Sequence, residues 1–128
     1  MVSRTDRLKK LVEVQEQLKA LHEAKRAGYV ARAMAAGEEA ADLARRADQH
    51  TEITAAFPDL YNRRIEQALA RQTVNDGLAK KEAGKVATAT LRTNIVERAY
   101  REAARLEERQ DSDKELLEII GRMPPKLK

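Results

Sequence analysis

Residues 51–61 read TEITAAFPDLY, and the proline within them decides the fold. Pro58 has no amide hydrogen and drives Phe57 away from helical geometry, so a helix arriving from the N-terminal side must end before it. Asp59 falls in the first turn of the next helix, where a carboxylate complements the positive end of the helix dipole. No other proline interrupts the chain until Pro124. The stretch therefore reads as the tip of an all-α, antiparallel two-helix coiled-coil hairpin. Its first arm covers about 4–50, its tip 51–58, its second arm about 59–121 and its basic tail 122–128.

Composition supports long helices over a thick globular core. Charged residues make up 36% of the 128, aromatics only 3%, and Ala, Glu, Lys, Leu and Arg together supply roughly three-fifths, a coiled-coil signature. The absence of cysteine excludes disulfides and thiolate metal sites and fits a reducing compartment. No apolar run approaches the ~20 residues of a membrane span, and MVSRTDRLKK lacks the apolar centre of a signal peptide. The expected location is the cytoplasm. A net charge of +4 arises from 25 basic residues interleaved with 21 acidic ones, which describes a solvated helix surface.

In the first arm, Ser3 and Asp6 have the spacing of a helix-start box. Leu8, Leu11, Val14 or Gln15, Leu18 and Leu21 recur at steps of three and four, which predicts the buried stripe. Ala24, Ala27, Ala31, Met34, Ala41, Ala44 and Ala47 extend it with small side chains. Gly28 and Gly37 each weaken the helix by about 1 kcal/mol relative to alanine without being expected to end it.

In the second arm, Ile65, Ala68, Gln72, Ala79, Val86, Leu91, Ile95, Ala99, Ala103 and Leu106 give a loose apolar face. Asn75-Asp76-Gly77 is turn-like, yet a hairpin there would leave the arms badly unequal. Ser112 and Glu115 form a capping box that predicts a stop near Asp111 and a short terminal helix ended by Gly121 and Pro124-Pro125.

Equal rise in both arms sets the register: partners should have numbers summing to roughly 109. Leu43 then lies near Ile65, Leu18 near Leu91 and Leu11 near Ala99. Residues beyond about 105 have no partner on that geometry. Leu106, Leu116, Leu117, Ile119 and Ile120 overhang, so they should fold back, self-associate or meet another protein. Arg4, Arg7, Lys9 and Lys10 lie at the same end, as do Arg122, Lys126 and Lys128. Basic charge beside uncovered apolar surface is a candidate partner-binding site.

No catalytic, cofactor or metal site is legible. His22 and His50 lie too far apart to share a metal, and a lone histidine such as His22 reads as a solvated helix residue. Adjacent acids such as Glu38-Glu39 and Glu107-Glu108 point about 100° apart with no pocket-forming neighbours. Gly77 and Gly84 lack the Lys-Ser/Thr continuation of a phosphate loop. Arg63-Arg64, Lys80-Lys81-Lys85 and Arg98-Arg101-Arg105 could touch nucleic-acid phosphates, but acids separate them and no aromatic platform accompanies them.

With LKKLVEVQEQLKALHEAKR opening the first helix and VERAYREAARLEERQDSDKELLE late in the second, the chain resembles the FliJ family of flagellar export proteins and their counterparts in injectisome type III secretion. The resemblance implies a non-enzymatic stalk partner of the export ATPase ring, entering its pore by the end that carries both termini. It also implies contacts with the export gate and export chaperones, at the cytoplasmic side of the inner membrane. A helical secretion chaperone and a scaffold or peripheral-stalk coiled coil share the same arms.

Overall fold

The computed structural model describes residues 3–49 and 52–124, with the side chains of Glu52 and Ile53 left out. Two long helices, α1 (Arg4–Asp48) and α3 (Pro58–Arg122), pack against each other as a hairpin, and a single short helix, α2 (Glu52–Ala56), lies at the tip. Among the described residues there is no strand.

The helix ends follow local chemistry. Ser3 caps α1: its Oγ accepts from the Asp6 amide at 3.1 Å and its carbonyl from the Arg7 amide at 3.1 Å. Arg45 and Arg46 occupy the last turn, where cations suit the negative end of the dipole. Phe57 is the one non-helical residue between α2 and α3, and Pro58 opens α3 at the position where its missing amide costs nothing. Thr51 and His50 lie outside the described residues. The turn-like triplet does not break α3; the Asn75 side-chain Nδ2 instead donates to the Arg71 carbonyl one turn back at 2.9 Å. Nor does Ser112 restart it. The expected short terminal helix is absent, because helix formers on both sides of Ser112 carry α3 unbroken to Arg122.

The chain divides into two compact units, Met1–Gln17 with Ala89–Lys128, and Leu18–Thr88. In the second unit the buried residues are small. Ala33, Ala36, Ala40 and Leu43 on α1 face the side of α3 that buries Ala68, Ala79 and Glu82. Leu43 is buried and Ile65 half-buried, so both fall on the seam. At Gly37 a Cβ would stand 2.8 Å from the side-chain amide nitrogen of Gln72, so the missing side chain leaves room for the end of Gln72 to lie there. An ion pair from Arg71 to Glu39 at 2.7 Å spans the flank of this seam.

In the first unit the seam is thinner. Leu8, Val12 and Gln15 on α1 are half-buried, and on α3 only Ala89 and Thr93 are buried, with Val96, Ala99, Tyr100 and Ala103 half-covered.

The expected buried stripe is overturned over much of α1 and at three positions of α3, while Leu8, Gln15, Ile65, Ala68, Gln72, Ala79, Val86, Ala99 and Ala103 are buried or half-buried as expected. Leu11, Val14, Leu18 and Leu21 are exposed, Leu11 at 42%, and so are Leu91 and Ile95 at 65% and 68%. Ala24, Ala27, Ala31, Met34, Ala41 and Ala44 are exposed too; of that series only Ala47 is half-covered. The covered positions of α1 include Leu8, Gln15, His22, Tyr29, Ala36 and Leu43, a strict seven-residue series, with Val12, Lys19, Ala33, Ala40 and Ala47 four residues after a member of it. On α3 the corresponding series is Tyr61, Ala68, Asn75, Glu82, Ala89, Val96 and Ala103. A seven-residue repeat keeps one face towards a supercoiled partner over any length, whereas the leucine run lapses after Leu21.

Candidate docking surface

The candidate partner-binding residues lie in the unit built from the start of α1 and the end of α3. Arg4 and Leu106 are brought together: with Ser3, Thr5, Ala103, Glu107 and Gln110 they line a groove where the first turn of α1 meets α3. Arg7, Lys9 and Lys10 follow on α1 and are exposed. The remaining apolar candidates are carried past that groove on α3 alone. Every residue from Arg105 to Arg122 is exposed, including Leu116, Leu117, Ile119 and Ile120. The overhang therefore does not fold back onto its own chain. Arg122 is the last residue of α3, while Lys126 and Lys128 lie outside the described residues.

Helical geometry gathers the overhang's apolar residues. At 100° per residue, Leu116, Leu117, Ile119 and Ile120 fall within less than half the helix circumference, and Leu106 joins the same face. Most of the acids between Glu107 and Glu118 occupy the opposite half. In the same unit Leu11 and Val14 on α1 and Leu91 and Ile95 on α3 are also exposed. Many of the chain's larger aliphatic residues thus lie outside its own seam, although Leu8, Val12, Leu43, Ile65 and Val96 lie within it, and exposed apolar clusters of this kind mark interaction surfaces.

The second unit contains a polar constellation that the sequence pattern did not reveal. His22 is not solvated: its Nδ1 stands 2.7 Å from Oε2 of Glu82, across the hairpin, and Lys85 reaches Oε1 of the same carboxylate at 3.5 Å. Burial works to raise the Glu82 pKa, but the hydrogen bond from His22 and the charges of Lys85 and His22 outweigh it and hold the carboxyl below its ordinary value. The clue was available, since both residues sit on the seven-residue series of their helices.

Among the described residues no group of three or more His, Cys, Asp or Glu side chains is placed to hold a metal ion. No helix among them is long and apolar enough to cross a membrane. No protein-family model, curated protein or solved structure matches the chain.

Proposed function

We propose that this protein is a non-enzymatic coiled-coil component of a protein-export apparatus, acting as the stalk partner of an export ATPase ring, as its resemblance to the FliJ family implies. The observation that supports the reading is the distribution of apolar surface: the hairpin closes on alanine and polar residues and leaves Leu106, Leu116, Leu117, Ile119 and Ile120 open at the end where α1 begins and α3 finishes. A chain whose own packing does not use such residues presents them to another molecule. Basic Arg4, Arg7, Lys9 and Lys10 beside them supply steering charge for an acidic partner. The export gate and export chaperones are further partners on the same reading, with the cytoplasmic face of the inner membrane as the place of work.

Stimulation of a purified export ATPase tests it. Leu117→Asp with Ile120→Asp should abolish stimulation and crosslinking to the ring while helicity is unchanged, because both side chains are already exposed. Full stimulation by the double variant would remove the overhang from the docking surface.

A further inference from the structure

The overhang has a second occupant available, and the chain itself supplies it. We propose that the free protein forms a two-fold homodimer in which the α3 overhang of each copy lies along the first turns of α1 of the other. This does not rest on the export reading; it concerns the protein with no partner present.

Two observations converge on it. The first is that donor and acceptor surfaces occur together in one unit. The overhang presents Leu116, Leu117 and Ile120 on one face, and α1 leaves Leu11 and Val14 open on a face that its own partner helix does not cover. Arg4, Arg7, Leu11 and Val14 follow one another at steps of three and four, a continuous stripe beside the seam, which is the spacing a third helix needs in order to lie against α1.

The second is charge. Glu107, Glu108, Asp111, Asp113, Glu115 and Glu118 outnumber Arg109, Lys114 and Arg122 over the overhang, whereas Arg4, Arg7, Lys9 and Lys10 outnumber Asp6 and Glu13 from Arg4 to Val14. Pairing overhang with overhang would set two acidic segments side by side. Pairing overhang with the start of α1 sets acid against base, and a two-fold axis makes that contact twice. Glu108 and Glu115 border the apolar face of the overhang, and Lys10 borders the stripe on α1, so opposite charges flank the same apolar contact.

The seam explains why the sites remain open within one chain. Among the described residues no helix lies beside α3 past the groove at Ala103–Gln110, and it nonetheless continues as helix to Arg122. A helix extended beyond its partner gains tertiary support only from another molecule. Dimerisation and docking to a partner would use the same leucines and so exclude each other.

Sedimentation equilibrium of the full chain in low salt should show a concentration-dependent dimer that weakens as salt rises. Leu117→Asp with Ile120→Asp should raise the dissociation constant by at least about tenfold at unchanged helicity. Arg7→Glu with Lys10→Glu should also weaken the dimer, and adding Glu108→Lys with Glu115→Lys should restore it. The chain has no cysteine, so geometry can be read by oxidation: Leu11→Cys mixed with Leu117→Cys should give the mixed disulfide, and Leu117→Cys alone should stay uncrosslinked. A monomer at about 100 μM, roughly the upper range for weak specific association, would overturn the proposal. So would a dimer indifferent to the aspartates, one whose charge-swapped form is not restored, or one that crosslinks Leu117→Cys to itself and not to Leu11→Cys. Failure of the unaltered chain to stimulate the ATPase, while it still dimerises, would count against the export reading alone.

Discussion

The two units of this hairpin bury different amounts with the same helices. In Leu18–Thr88 the seam is made of Ala33, Ala36, Ala40, Ala68 and Ala79 with Leu43, and Ala68 is 0% exposed. In Met1–Gln17 with Ala89–Lys128 the seam offers larger side chains, Leu8, Val12, Val96 and Tyr100, yet none of these is fully buried. In a two-helix structure coverage depends on how near the backbones come, and short side chains allow the nearer approach. The aliphatic residues that could have built a thicker core lie outside it. Both units keep larger aliphatic side chains exposed, Leu18, Leu60, Leu69 and Val74 in the one and Leu11, Leu91, Ile95 and Leu117 in the other, so what separates them is the depth of the seam.

That contrast can be broken most severely at Ala68. Ala68→Asp would place a charge where no water reaches and should cost more than about 3 kcal/mol, unfolding the unit. The same change at Leu18, which is 39% exposed, should cost less than about 1 kcal/mol. Thermal melts of the two variants decide it, and equal losses would mean that the exposed leucines belong to the seam after all.

A smaller effect should sharpen the account of the thinner unit. Gln15 holds a buried side-chain oxygen with no hydrogen-bond partner, and the Thr93 hydroxyl is turned back on its own helix to the Ala89 carbonyl at 2.7 Å. Gln15→Leu removes the unsatisfied oxygen and adds apolar contact, so the midpoint of denaturation should rise by the equivalent of about 1 kcal/mol.

The smallest effect concerns pH in the alanine-packed unit. Because the Glu82 carboxyl is held below its ordinary value of 4.5, the folded state prefers it ionised. The stability it confers is complete above that value and drains away as pH falls through the lower, folded value. Wild type should therefore lose melting temperature more steeply below about pH 4.5 than Glu82→Gln does. Parallel curves for the two proteins would show that the contact with His22 contributes nothing.

Much of this fold could be read from single residues with strong local consequences. Pro58 marked the turn and the start of α3, Ser3 marked the cap of α1, and the position of the tip set a register whose pair Leu43 and Ile65 is covered while its pair Leu18 and Leu91 is exposed. The phase of the seam could not be read by hydrophobicity, because Leu11, Leu18 and Leu21 outweigh alanine on any such scale while the structure buries alanine. Length was the better guide: Leu8, Gln15, His22, Tyr29, Ala36 and Leu43 keep an unbroken seven-residue spacing in which only some members are apolar. The polar members made that series look like surface. For the same reason the pairing of His22 with Glu82 went unseen, since each residue alone resembles solvated helix. The overhang was legible from arm lengths, but Ser112 suggested a break that the surrounding helix formers override.

A seam of repeated alanines has a weakness of its own, since one heptad resembles the next and two such helices could slide along each other at little loss of contact. The notch at Gly37 works against this. Were α3 displaced by seven residues, Gln72 would meet Ala44, whose methyl group stands where the notch should be, and the Glu82 carboxylate would be left opposite Tyr29 without His22. The polar pair sets the stronger preference for the observed register, and the notch a weaker one, because the end of Gln72 can swing away from an added methyl group.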